Sequence, residues 1–398
     1  MEQNTTKEKI KAAHFRHIIR AFTILLIVAF LLLTAGLGVY SFVAKDREFS
    51  DSENRVLASM PQITFSNIVS GKFMKDFESY LADQFPFRDE AISIKTFADR
   101  VFSKRQENGV FIGDENFLFD DQIPYVEADN KEKVKLIGEF SKKYKGTKQM
   151  MVISPNSSYI YSEYLPYDKQ LYDQSDVIEK VYSSVKAPKM HKLDAVSILQ
   201  DEKESGVQLF YKTDHHWTTR GAYSVFSEIA EHWELERDDV FHSFYPVSSD
   251  FEGTLSSKAG VHDFKDTVEI CVPEKAGGSY VVSYESQQKK TSSLFDKEKL
   301  EEKNKYEVFL GGNYDKVIVT TLSPDRDTLL IVKDSYANCM IPMFTPFFSK
   351  IIIVDPRYMT ESIHSVMGEH DVTHVLFLYN LNTFLEDTSI VPVFKEDK

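Results

Sequence analysis

Thr328-Leu329-Leu330-Ile331-Val332-Lys333-Asp334-Ser335-Tyr336-Ala337-Asn338 is the stretch on which the fold turns. Its first five residues form a short apolar run of the kind that makes a strand buried on both faces. The run stops abruptly at Lys333-Asp334-Ser335, placing a serine on a sharp strand-to-helix turn where its hydroxyl is exposed at the sheet edge. Working outward, similar runs occur at residues 150–153, 317–320, 351–354 and 374–378, with spacings that suit crossover helices such as 361–369. Apolar runs alternating with helices predict an α/β fold with a mostly parallel sheet flanked by helices. Sites in such sheets form in loops at the carboxyl ends of the strands.

The chain has 398 residues, of which 42% are hydrophobic, with 30 Phe and 20 Tyr, so a packed core is available and disorder is excluded. Residues 21–43 carry no charge, and 23 residues of helix reach roughly 34 Å, enough to cross a bilayer core of about 30 Å. Lys7, Lys9, Lys11, Arg16 and Arg20 precede this run, whereas acidic and basic residues are mixed after it, which predicts a cytoplasmic N-terminus and an extracellular remainder. A cleaved signal peptide is the competing reading; the run is long for one, and Phe42-Val43-Ala44 is a poor cleavage site. The net charge of −14 excludes generic nucleic-acid binding and would repel an anionic glycan unless a local groove offset it. Cys271 and Cys339 have neither redox nor zinc-ligand spacing and read as free, buried thiols.

The expected organisation is a cytoplasmic tail (1–20), a transmembrane helix (21–43), a stalk with N-terminal helices (44–107) and one extracytoplasmic domain (108–398). Helical spacing on either side of Asp83-Gln84-Phe85-Pro86-Phe87-Arg88-Asp89 predicts two helices meeting at that corner. Residues 265–314, poorer in apolar runs, read as an insertion or flap.

Chemistry concentrates in Thr213-Asp214-His215-His216-Trp217, directly before an amphipathic helix that Thr218 or Thr219 can cap. Asp214 and His216, two apart, lie on one side of an extended backbone, and an Asp that holds a His in one tautomer makes a general base. Adjacent histidines lack the helical spacing of a metal pair, so no metal or other cofactor is expected. Ser335 is the candidate nucleophile. Asp355-Pro356-Arg357-Tyr358 and Tyr379-Asn380 end two further strands, offering Asn380 as oxyanion donor, Arg357 as a ligand for an acyl or sugar oxygen, and Tyr358 and Tyr379 as further oxyanion or substrate candidates; Asn156 is the rival donor. Loop hydrogen bonding is the bland alternative for each.

Together with the apolar anchor, Ser52-Glu53-Asn54-Arg55, the Asp83–Asp89 corner, Thr213–Trp217, Phe251-Glu252-Gly253-Thr254-Leu255 and Lys333–Tyr336 resemble the DHHW family of bacterial proteins. More distantly they resemble the SGNH-hydrolase-like proteins that acetylate alginate. The resemblance covers nearly the whole chain. It implies a circularly permuted SGNH-hydrolase-like fold with Asp214 as orienter, His216 as base and Ser335 as nucleophile. It also implies O-acetylation of an envelope polysaccharide, with acetyl groups delivered by a membrane-bound O-acyltransferase partner. Deacetylation by the same residues, or a non-catalytic scaffold in envelope assembly, are the alternatives. The chain departs from the family pattern where Lys333 replaces the glycine of a Gly-Asp-Ser block, and an appended carbohydrate-binding domain is not expected.

Overall fold

Alternation along the apolar runs decides which side chain faces which layer. In the computed structural model the runs become strands of an eight-stranded sheet: β1 (Lys148–Ser154), β2 (Met190–Leu193), β3 (Tyr280–Tyr284), β4 (Lys289–Thr291), β5 (Lys316–Thr321), β6 (Thr328–Lys333), β7 (Lys350–Val354) and β8 (His374–Asn380). Their order is β4-β3-β5-β7-β6-β8-β1-β2. From β7 through β2 every pairing is parallel, while β5, β3 and β4 run antiparallel along the other edge. The structure describes residues 2–47, 49–50, 55–167, 169, 171–235, 240–274, 279–323 and 327–395.

Every residue of β6 is buried, because helices cover both faces. Leu329 and Ile331 join Ile351, Ile353, Leu376 and Leu378 in one apolar layer. Leu330 and Val332 join Ile352, Val354, Val375 and Phe377 in the other. Each such aliphatic side chain contributes about 1.5–3 kcal/mol on burial, so the centre of the sheet is the best-anchored part of the molecule. Helices Glu127–Lys143 and Gln174–Ser184 cover the second layer. Helix Thr219–His232 covers the first with Ala222, Val225, Phe226 and Ile229, at the expected helical spacing. Thr218 caps it, its hydroxyl oxygen accepting the Gly221 N–H at 3.1 Å.

Residues 265–314 are built into the sheet, since they supply β3 and β4. Strand Asp266–Glu274 also pairs antiparallel with Phe241–Phe251, with register shifts between Pro246 and Ser248 and between Ser248 and Phe251. That hairpin has no clean alternation and is not apparent in the sequence. Both cysteines are free and buried.

The chain separates into two compact units, residues 1–94 and 95–398. In the first, helix Glu2–Val43 contains a stretch, Phe15–Ser41, with mean hydropathy 2.6 and no burial, long and apolar enough to cross a membrane. The corner between helices Lys72–Asp83 and Arg88–Val101 is held by its own side chains. Asp83 accepts the Ala58 N–H at 2.8 Å, Gln84 bonds both backbone groups of Arg47 at 2.9 Å, and Arg88 Nε donates to the Ala82 carbonyl. Ser52, Glu53 and Asn54 lie outside the described residues.

Candidate active site

Ser335 heads a 3-10 turn, Ser335–Cys339, immediately after β6. The turn is pinned by the buried Asp334 carboxylate, which accepts the Tyr336 N–H at 2.9 Å and the Asn380 N–H at 2.8 Å. One side chain thus ties the ends of β6 and β8 together and sets where the Ser335 hydroxyl points. Lys333, which stands where a Gly-Asp-Ser block would have its glycine, is almost wholly buried and donates to Asn313 Oδ1 at 2.8 Å and Asp355 Oδ2 at 3.3 Å.

The loop before helix Thr219–His232 brings its own carboxylate and imidazole to this turn. Asp214 Oδ1 accepts from His216 Nδ1 at 2.5 Å and from the His216 N–H at 3.0 Å. The other oxygen, Oδ2, accepts the Thr254 N–H at 2.8 Å and its hydroxyl at 2.9 Å. With all its lone-pair directions engaged, the carboxylate cannot rotate away. On the far side of the ring, His216 Nε2 lies 2.7 Å from Ser335 Oγ, across 119 residues of sequence. Because Asp214 accepts the hydrogen bond from the Nδ1 proton and holds it on the ring, Nε2 is left as the acceptor for the serine hydroxyl.

Electrostatics favour the same protonation states. Burial and the neighbouring His215 push His216 down to about 4, against the pull of Asp214, so the imidazole is neutral at ordinary pH. Burial also acts on Asp214, but His215, His216 and its hydrogen bonds outweigh it and hold the carboxyl well below the usual carboxylate range.

The rest of the five-residue motif is scaffolding. Thr213 donates its N–H and hydroxyl to Asp266 Oδ2 at 2.8 and 2.7 Å, and Trp217 Nε1 donates to the Tyr336 carbonyl at 2.8 Å. His215 Nδ1 is 2.8 Å from Thr254 Oγ1, and its carbonyl accepts the Tyr336 hydroxyl. Asp214, His215 and His216 place ligand-type atoms within 4.8 Å of one another, but each of those atoms already has a hydrogen-bond partner, which suits proton transfer better than metal binding.

The remaining candidates divide by strand parity and pairing. Asn380 and Asn156 do come together, yet on each other: Asn380 Nδ2 donates to Asn156 Oδ1 at 2.7 Å, and Asn156 Nδ2 to Asn382 Oδ1 at 2.8 Å. Their amides form a network at the ends of β8 and β1 that lines a cleft together with His215 and Tyr336. The Arg357 guanidinium clamps Asp355 through Nε and Nη2 at 2.8 and 2.7 Å, and its charge contributes to lowering His216. Tyr358 is half exposed beneath that guanidinium, 5.7 Å away. Tyr379 does not join the site; one residue out of phase with Asn380, it packs edge-on against Phe384 in the opposite layer.

Four contributors carry no individual mark in the sequence: Gly253, Thr254, Asp266 and Tyr306. Gly253 and Thr254 lie in the Phe251–Leu255 block, a family feature without an assigned role. A Cβ on Gly253 would stand 2.2 Å from Asp214 Cβ, which explains the glycine by close approach alone. Tyr306 comes from residues 265–314 and carries no local signal. Its ring stacks on His216 and its hydroxyl donates to the Ser335 carbonyl at 3.0 Å.

A family model described as "SGNH hydrolase-like domain, acetyltransferase AlgX" matches residues 110–313, about half of the chain. The chain belongs to this AlgX family. The match includes Asp214 and His216, while Ser335 lies beyond its end. Among curated proteins, a probable alginate O-acetylase AlgJ of Pseudomonas syringae is 26% identical over 210 residues, 51% of this chain and 50% of that one. The chain thus spans about half the length of the curated relatives it matches. Of solved structures, a DHHW family protein from Eubacterium siraeum superposes with TM-score 0.60 at 20% identity, covering 71% of this chain and 94% of that one. Bacillus cereus PatB1 with a sulfonyl adduct superposes with TM-score 0.59 at 15% identity, covering 72% and 98%. At such identities these structural likenesses show a shared fold and nothing about activity.

Proposed function

We propose that this chain is a membrane-anchored, extracytoplasmic O-acetyltransferase of a cell-envelope polysaccharide, working through Asp214, His216 and Ser335. The observation that carries the reading is the continuous hydrogen-bonded line from Asp214 through His216 to Ser335 Oγ, with contacts of 2.5 and 2.7 Å. A scaffold has no need of a neutral imidazole aimed at a serine hydroxyl on a strand-to-turn junction.

In this mechanism His216 Nε2 takes the Ser335 proton as the serine oxygen attacks the carbonyl carbon of an acetyl ester. The proton then passes to the departing donor group, leaving acetyl-Ser335. A polysaccharide hydroxyl attacks that ester, gives its proton to His216, and departs acetylated; His216 returns the proton to Ser335. Asp214 stabilises the imidazolium formed in each half. The Ser335 N–H, first in its turn and unbonded among the described residues, is the candidate oxyanion donor, in place of the Asn380 and Asn156 amides.

The apolar stretch Phe15–Ser41 and the basic residues around its start support a single-pass anchor with the N-terminus in the cytoplasm. Residues 44–107 would carry the 108–398 domain outward, beside a membrane-bound O-acyltransferase that supplies acetyl groups. The family match and the relatives named as probable alginate O-acetylases support acetyl chemistry on a polysaccharide. The test is acetyl transfer by the purified full chain: Ser335→Ala abolishing transfer and acetyl-enzyme trapping is expected, and full transfer by that variant would overturn the reading.

A further inference from the structure

Resting on that reading, the cleft that meets the site through His215 and Tyr336 identifies the class of acceptor. A space of about 330 Å³ is bordered by His215 and Tyr336, the sequence neighbours of His216 and Ser335, and by Asn156, Asn380 and Asn382. It falls in the range of small-ligand sites, about 300–1,000 Å³, and its wall of amides suits hydroxyl groups. The cleft also exposes three carboxylates, those of Asp120, Asp121 and Glu386.

Cations are scarce. Lys258 lines the cleft but is paired with Asp120 at 3.2 Å. Lys169 is spent on Asp121 at 3.5 Å, and Arg357 is clamped on Asp355. Among the described residues lining the cleft, no arginine presents the fork that receives a carboxylate. A polyuronate, with a carboxylate on every sugar, would bring like charge against Glu386 with nothing to offset it, and the chain's net charge of −14 adds to that repulsion. Sugar hydroxyls, in contrast, donate readily to carboxylates and amides.

We propose that the acceptor is a neutral polysaccharide, free of uronic acids, in contrast to the alginate for which the curated relatives are named. The experiment uses the full chain in detergent with 4-nitrophenyl acetate as donor. Oligosaccharides of equal length, one neutral and one of uronic acids, serve as acceptors, and acetylated products are counted by mass spectrometry. Expected are Ser335-dependent release of nitrophenolate and a preference of at least about tenfold for the neutral acceptor, shrinking as salt screens the repulsion. Glu386→Lys is expected to raise the uronate-to-neutral ratio about fivefold or more. Equal or better transfer to the uronate overturns the inference, as does release of acetate to water with neither acceptor modified. Absence of any Ser335-dependent release overturns instead the O-acetyl reading on which it rests.

Discussion

The ring of Tyr306 lies flat on the imidazole of His216, centroids 3.8 Å apart and planes within 13°, while its hydroxyl holds the Ser335 carbonyl. One side chain from the antiparallel half of the domain therefore positions both members of the proposed proton-transfer pair. Such a stack is worth about 0.5–1.5 kcal/mol, and the hydrogen bond about 1 kcal/mol. Tyr306→Leu, losing both, is expected to reduce ester turnover about 10–50-fold and to shift the pH profile of His216. Tyr306→Phe, keeping the stack, is expected to lose about fivefold with the profile unmoved; equal loss in the two variants would assign the effect to the hydroxyl alone.

The lowered His216 sets the pH dependence. Catalysis needs the neutral ring, so kcat/KM is expected to rise with pH through about 4 and to be level above about 6. An inflection near 7 in steady-state rates would contradict it. Stability follows the same group. Since the folded ring binds its proton less readily than the unfolded one, whose value is about 6.5, the unfolded state takes up protons first as pH falls, and stability is lost between about 6.5 and 4. The depressed Asp214 adds stability above its unfolded value, about 3.9, that is lost on further acidification. Thermal melting across this range checks both.

Gly253→Ala forces a methyl group to 2.2 Å from Asp214 Cβ and 2.6 Å from Oδ2. The carboxylate must shift, and a displacement of about 1 Å at such a site costs on the order of a hundredfold in rate. Gly146→Ala is the control, since nothing lies within 4 Å of the added atom, and its melting temperature and turnover are expected to stay near wild type.

Lys333→Met removes a buried ammonium that faces Asn313 and Asp355. Asp355 keeps Arg357 and the Asn313 oxygen keeps the Asn338 amide, so each loses one of its donors and a destabilisation of about 1–3 kcal/mol is expected in denaturant titrations. A variant as stable as wild type would show that the Asp355–Arg357 pair suffices.

Much of the fold was legible because its signals are local. The apolar runs mark β1, β5, β6, β7 and β8, Thr218 marks the helix start, and the Asp83–Asp89 corner marks the break between two helices. In each case a few adjacent residues determine the backbone state. The direction of β5 against β7, and the hairpin of Phe241–Phe251 with Asp266–Glu274, depend on pairings between distant segments, which no local period encodes.

For the site, the sequence alone determined which residue types were present: a carboxylate and an imidazole two positions apart, and a serine after a buried strand. Only the tertiary structure decided that His216 Nε2 meets Ser335 Oγ across 119 residues, that Asn380 turns to the site side while Tyr379 turns away, and that Asn156 and Arg357 are spent on Asn382 and Asp355. The reason is physical. Side-chain identity and strand parity are properties of the chain, whereas a hydrogen bond exists only where packing brings two groups to the same place, as it brings Tyr306, from the turn between β4 and β5, onto His216 and the Ser335 carbonyl.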